Sequence, residues 1–305
     1  MTLIDIVGQC DQKLYELENN LSILPLHIPA KVKGLWQSQV KFRNYLNKSA
    51  SLLIAREAAW KTVKNMADDT KRSARLAKNQ ADHDPQKPET LNKWTFNGLE
   101  IDFSVARYLA LVSYTTTTWA IYDNLFNVVG RIAAIPELSR DPRRNPKLQA
   151  LYDLKNSSLS EFNGEENQSD KSKKIYLFQQ VVHEYAIEQY AWSCAFSYEI
   201  RNWLVHEGMK KGDLSLFKGD EILDGLILSP DTKQHIEKTI TSRFKENHRD
   251  IARFDSIWTQ DNAVPDIDLA IIFEYCHSEI DSLFISLLPW AVGSLENQVV
   301  HFGTT

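Results

Sequence analysis

The sequence predicts an all-α protein. Three observations carry this. Apolar residues recur at three- and four-residue spacing along most of the chain, residues 102–134 are apolar on nearly all sides, and residues 173–208 hold an apolar stripe over four to five heptads. Such spacing gathers apolar side chains on one face of a helix, where a partner helix can cover them.

The elements follow in order. Leu3, Ile6, Val7, Leu14, Leu17 and Leu21 predict a helix over 3–22, and Pro25 and Pro29 break what comes next. Leu35, Val40, Phe42, Leu46, Leu52, Leu53 and Trp60 predict a second helix from Val32 to Met66. Residues 67–93 carry almost no large apolar residue. Their first part extends a solvated helix, with Lys71, Arg72, Arg75 and Lys78 on one side, and is either plain surface or an RNA-contacting arm. Their second part, with Pro85 and Pro88, reads as a linker.

A buried helix is expected over 102–134, interrupted by four hydroxyls at Thr115 to Thr118 and ended by Pro136. Arg140, Arg143, Arg144 and Lys147 make a basic turn, and residues 155–172 a polar loop. In the striped helix over 173–208, Ile175, Phe178, Val182, Phe196, Trp203 and His206 share the stripe, with Gly208 as C-cap and Lys210 and Lys211 beyond it. Leu214–Phe217 and Ile222–Leu228 flank Lys-Gly-Asp as a small hairpin, and helices are expected over 231–258 and 266–292. Residues 1–95 read as accessory N-terminal helices and a polar linker, and 96–305 as the main bundle, unless the two form one continuous domain.

Net charge of −5 excludes a protein whose whole surface coats nucleic acid, while leaving room for a local basic groove. Three unpaired-looking cysteines, no signal peptide and no long apolar run point to a cytoplasmic protein off the membrane. No glycine-rich phosphate loop and no metal-ligand spacing occurs, so neither a cofactor nor a metal is expected.

The chemistry concentrates in Arg201-Asn202-Trp203-Leu204-Val205-His206. Arg-to-His spacing alone says little, because Arg243 and His248 repeat it among surface residues. What distinguishes the first copy is Asn202 beside Arg201, apolar Leu204 and Val205, and a long stripe ending on His206. On an α-helix Asn202 lies about 40° from His206, and Arg201 about 140° away. Arg201 shares a pocket with His206 only by reaching round the helix or lining a groove between helices. An imidazole exchanges protons near neutral pH, and a guanidinium grips phosphate oxygens as a charged fork. These are the groups that RNA cleavage by the ribose 2′-OH requires: a base, an acid and a cation for the phosphorane.

The motif resembles the signature of the HEPN superfamily, Arg, a polar residue, mostly apolar residues, then His, late in a bundle helix. The resemblance spans about residues 100–292 and implies an antiparallel helical bundle with additional N-terminal helices. It further implies a metal-independent endoribonuclease in a toxin or phage-defence role, whose products carry a 2′,3′-cyclic phosphate and a 5′-OH. Arg201 would clamp the phosphate, His206 act as base or acid, and Asn202 orient the imidazole or hold the phosphate. Asp123 or Asn124 would support them from a facing helix, and Arg140, Arg143, Arg144, Lys210 and Lys211 would line the RNA path. The implied partners are RNA, a second copy of the chain with its motif at the interface, and an antitoxin or defence-system protein. Gly208 departs from the toxin subgroup that carries Tyr two residues after the His. The alternative is a non-catalytic dimerisation, RNA-binding or partner-binding module.

Rival constellations are weaker. His183-Glu184 lacks the second His of a zinc protease. Glu274-Tyr275-Cys276-His277 is one Glu-x-x-His where a di-iron bundle needs two. Ser193 and Cys194 read as packing residues.

Overall fold

A computed structural model describes residues 1–22, 30–81, 93–96, 98–132, 191–207, 217–218, 221–222, 231–232, 234–235, 238 and 269–303. Helices dominate: α1 (Leu3–Ser22), α2 (Ala30–Ala81), α3 (Phe103–Ile132), α4 (Ala191–Asn202) and α5 (Leu269–Gly303). Two short antiparallel hairpins accompany them, β1 (Lys93–Phe96) with β2 (Leu99–Asp102), and β3 (Phe217–Lys218) with β4 (Glu221–Ile222). The all-α expectation holds for the architecture. The loop over 155–172, Pro136 and the first half of the 173–208 stripe lie outside the described residues.

Helix α1 starts on a reciprocal cap. The Thr2 hydroxyl accepts from the Asp5 amide at 3.4 Å, and the Asp5 carboxylate accepts from the Thr2 amide at 2.8 Å. The Thr2 amide, then its hydroxyl, hold the Asp5 carboxyl below its usual range. Leu3, Ile6, Val7, Cys10, Leu14 and Leu17 are all buried, as their three- and four-residue spacing requires.

Two compact units divide the chain, and neither is a continuous stretch. The first comprises Met1–Ile54, Thr118–Cys194 and Ser278–Thr305, and the second Ala55–Thr117 and Ala195–His277. Residues 1–95 are thus shared between them.

In the first unit, Arg43 of α2 reaches Asp11 at 3.1 Å and Glu18 at 2.8 Å on α1, and lies 4.8 Å from the Tyr15 ring. Asp11, Tyr15 and Glu18 sit at four- and three-residue spacing, so a single guanidinium spans one face of α1. Helices α3 and α5 meet through aromatic rings. Tyr122 stacks on Phe284 at 5.8 Å, Phe126 meets Phe284 edge-on at 4.8 Å, and the Tyr122 hydroxyl donates to Asp281 at 3.2 Å. Ser193 of α4 donates to Glu279 of α5. That gives Ser193 a hydrogen-bonding role beyond the packing that its sequence context suggests.

In the second unit, α2 and α3 run antiparallel. Trp60 stacks on Tyr114 at 4.6 Å, and further along Met66 packs with Ala106, Ala110 and Ile101. Phe273 of α5 takes Trp60, Tyr114 and Phe196 edge-on at 5.8–6.4 Å. The four threonines leave α3 unbroken: the Thr115 hydroxyl turns back to the Leu111 carbonyl at 2.9 Å, which lets it be buried at no polar cost.

Helix α2 runs through Ala81, so the polar first part of residues 67–93 extends it as the sequence suggests. One boundary differs from expectation. Helix α5 runs through Gly303 although Pro289 lies inside it. A proline removes one helical hydrogen bond. Here Leu287, Leu288, Ala291, Val292 and Leu295 are buried on both sides of it, and their packing carries the helix onward.

Candidate functional site

The Arg201–His206 motif ends α4, and it does so on a π-helical turn, Trp203–Glu207. In an α-helix each residue advances 100°, whereas a π turn bonds residue i to i+5 and advances less per residue. The wide turn therefore narrows the 140° that an α-helix would leave between Arg201 and His206. It also moves His206 off the buried stripe. Trp203 and Leu204 are 3% and 0% exposed, while Val205 and His206 face solvent. The stripe places His206 inside. The π turn, which no apolar periodicity announces, puts it outside.

The turn is held from α3. A helix leaves its last four carbonyls without intrahelical partners. The Tyr108 hydroxyl donates to one of them, the Leu204 carbonyl, at 2.5 Å. Tyr108 thus fixes the segment between the guanidinium and the imidazole, a role its sequence context gives no means of reading. Its neighbour Arg107 is 1% exposed, a buried cation that no motif in the sequence marks.

Arg201 Nη1 donates to Asn202 Oδ1 at 2.9 Å. The amide oxygen of Asn202 is therefore directed to the guanidinium rather than to the imidazole. Arg201 is half-buried, and its Nε, like the Trp203 Nε1, is buried without a hydrogen-bond partner among the described residues. A guanidinium fixed on one edge and unsatisfied on another is suited to an anionic oxygen, because an unmet buried donor is costly.

The other residues singled out in the sequence fall elsewhere. Asn124 is buried and Asp123 half-buried, and both belong to the first unit, whereas Arg201, Asn202 and His206 belong to the second. The Asn124 amide nitrogen is buried without a partner among the described residues. Arg140, Arg143, Arg144, Lys210 and Lys211 lie outside the described residues.

Glu274 and His277 do not converge as metal ligands would. Glu274 is exposed and engaged by Lys64 and by the Trp60 indole nitrogen at 3.4 Å. His277 is buried, hydrogen-bonded through Nδ1 to the Tyr114 hydroxyl and stacked on Phe273 at 5.4 Å. Burial, reinforced by the charge of Arg56, holds His277 well below the usual imidazole range, so it is a neutral core residue. Among the described residues no group of three or more His, Cys, Asp or Glu side chains is arranged to hold a metal, and no helix is long and apolar enough to cross a membrane. Comparison with protein-family models, with curated proteins and with solved structures finds no match to this chain.

Proposed function

We propose that the chain is a metal-independent endoribonuclease of the HEPN type, acting as a toxin or phage-defence effector in the cytoplasm. The observation that supports this best is the π turn over Trp203–Glu207, which narrows the angle about the helix axis between half-buried Arg201 and exposed His206. Wide turns of this kind recur at functional sites in helices.

In the proposed reaction the ribose 2′-OH attacks the adjacent phosphorus. One His206 takes the 2′ proton, and the guanidinium of Arg201 offsets the charge gathering on the phosphorane oxygens. The 5′ oxygen leaves with a proton from a second imidazole, which a two-fold copy of the chain would supply. The products are a 2′,3′-cyclic phosphate and a 5′-OH. Asn202, bound to Arg201, keeps the guanidinium fork aimed.

The test is incubation of the full chain with single-stranded RNA in excess EDTA, beside His206→Ala and Arg201→Ala. Wild type is expected to cleave and leave cyclic phosphate ends, with each variant slower by about 100-fold or more. Equal cleavage by wild type and His206→Ala, or none by wild type, overturns the proposal. The second outcome, with an intact dimer, would favour the non-catalytic module.

A further inference from the structure

The sequence of the last three turns of α2 is basic. Between Thr70 and Ala81 the sequence has Lys71, Arg72, Arg75 and Lys78 and no acidic residue. Their spacing of three and four residues repeats along one side of the helix, and Lys71 to Lys78 spans about 10 Å of its axis. Arg72 and Arg75 are exposed, and neither forms an ion pair among the described residues, even with Asp68 one turn before. Elsewhere on the same helix some cations are paired: Arg43 is held by Asp11 and Glu18, and Lys61 by Glu57.

Two exposed arginines in a basic segment of a chain of net charge −5 call for a local anionic partner, since screening confines their reach to about 8 Å at physiological salt. Two anionic surfaces compete. A membrane-surface helix needs a broad apolar face beside its charges. Residues 67–81 offer one large apolar side chain, Leu76, so a lipid surface is disfavoured. A phosphodiester backbone needs only the charges. The stripe also lies in the same compact unit as Arg201, Asn202 and His206.

We infer that residues 71–78 of α2 form a binding site for the phosphate backbone of single-stranded RNA. The choice of RNA rests on the ribonuclease reading, and the phosphate chemistry does not. Binding is therefore measured without cleavage. The full chain carrying His206→Ala is titrated into a fluorescein-labelled 12-nucleotide RNA, with anisotropy read across 50–300 mM KCl. Arg72→Glu/Arg75→Glu is compared with Arg72→Gln/Arg75→Gln, and circular dichroism checks that helix content is kept.

Each phosphate contact contributes about 0.7 to the salt slope for a single strand, so losing two should flatten that slope by about 1.4 and weaken binding about tenfold at low salt. The Gln pair should flatten it similarly with a smaller loss of affinity. An unchanged slope in both pairs overturns the inference, as does tighter binding to vesicles containing phosphatidylserine than to RNA. Equal affinity for DNA of the same sequence keeps the phosphate site and removes the preference for RNA. RNA binding in a chain that never cleaves refutes the nuclease and leaves the stripe standing.

Discussion

Replacing Tyr114 by Phe isolates one hydrogen bond in the core of the second unit. The ring stays, so its stacking on Trp60 at 4.6 Å and its edge contact with Phe273 at 5.8 Å are kept. Only the hydroxyl bonded to His277 Nδ1 is removed. Because His277 is 6% exposed, water is a poor substitute, and loss of a partner to a buried polar atom costs about 1–3 kcal/mol. His277→Phe removes the other partner and leaves the hydroxyl stranded, with a similar cost. In the double variant no polar atom of this pair remains, so its cost should fall well below the sum of the single changes.

The same site makes acid stability specific. The unfolded chain protonates this histidine near pH 6.5, while the folded chain resists until far lower, because burial and Arg56 both oppose the charge. Stability from the neutral folded form is complete above pH 6.5 and is lost as pH falls below it. The loss approaches about 1.4 kcal/mol per pH unit for this one proton. Urea denaturation followed by circular dichroism at pH 7.5, 6.5 and 5.5 reads both effects. Wild type should lose stability more steeply than His277→Phe between pH 6.5 and 5.5. Equal slopes would show that His277 titrates alike in both states and refute the reasoning, and additive single-variant costs would refute the pairing.

Three further outcomes are expected. Tyr108→Phe frees the Leu204 carbonyl at a cost of about 1 kcal/mol, and amide hydrogen exchange over residues 203–207 should quicken relative to the rest of α4; unchanged protection would mean the π turn stands without it. Gly98→Ala should destabilise by about 1 kcal/mol, purely through the backbone, since φ is +80° and nothing lies within 4 Å of the added carbon; thermal melts showing no loss would count against that turn geometry. Arg43→Met should cost about 1 kcal/mol in low salt and less in 0.5 M NaCl, because its partners are partly solvated; a cost independent of salt would assign the effect to packing on Tyr15 instead.

The helices were legible where one face alone is buried. Leu3 to Leu17 on α1 alternate so plainly that both ends of the helix follow from sequence. The end of α5 was not, because Pro289 is a local stop signal that long-range packing overrides. The β1–β2 hairpin carries a strong short-range signal, Asn97-Gly98 between Trp-Thr-Phe and Leu-Glu-Ile, but the polar, proline-containing segment before it masks that signal. The residues of the motif were visible, but its geometry was not. A π turn depends on backbone bonding and on a hydroxyl from Tyr108, 96 positions away in sequence, and neither leaves a periodic trace.

The interleaving of the two compact units has a consequence for the order of events during synthesis. The second unit opens at Ala55, is interrupted for residues 118–194, and closes only at His277, while the first closes only with the C-terminal segment. Neither is complete before α5 has begun to be made, because both draw on it. The Arg201–His206 segment is therefore translated well before the last part of its own unit exists. A chain halted ahead of Leu269 would carry every residue of the motif and neither finished unit. Cutting at residue 95 likewise takes a piece from each.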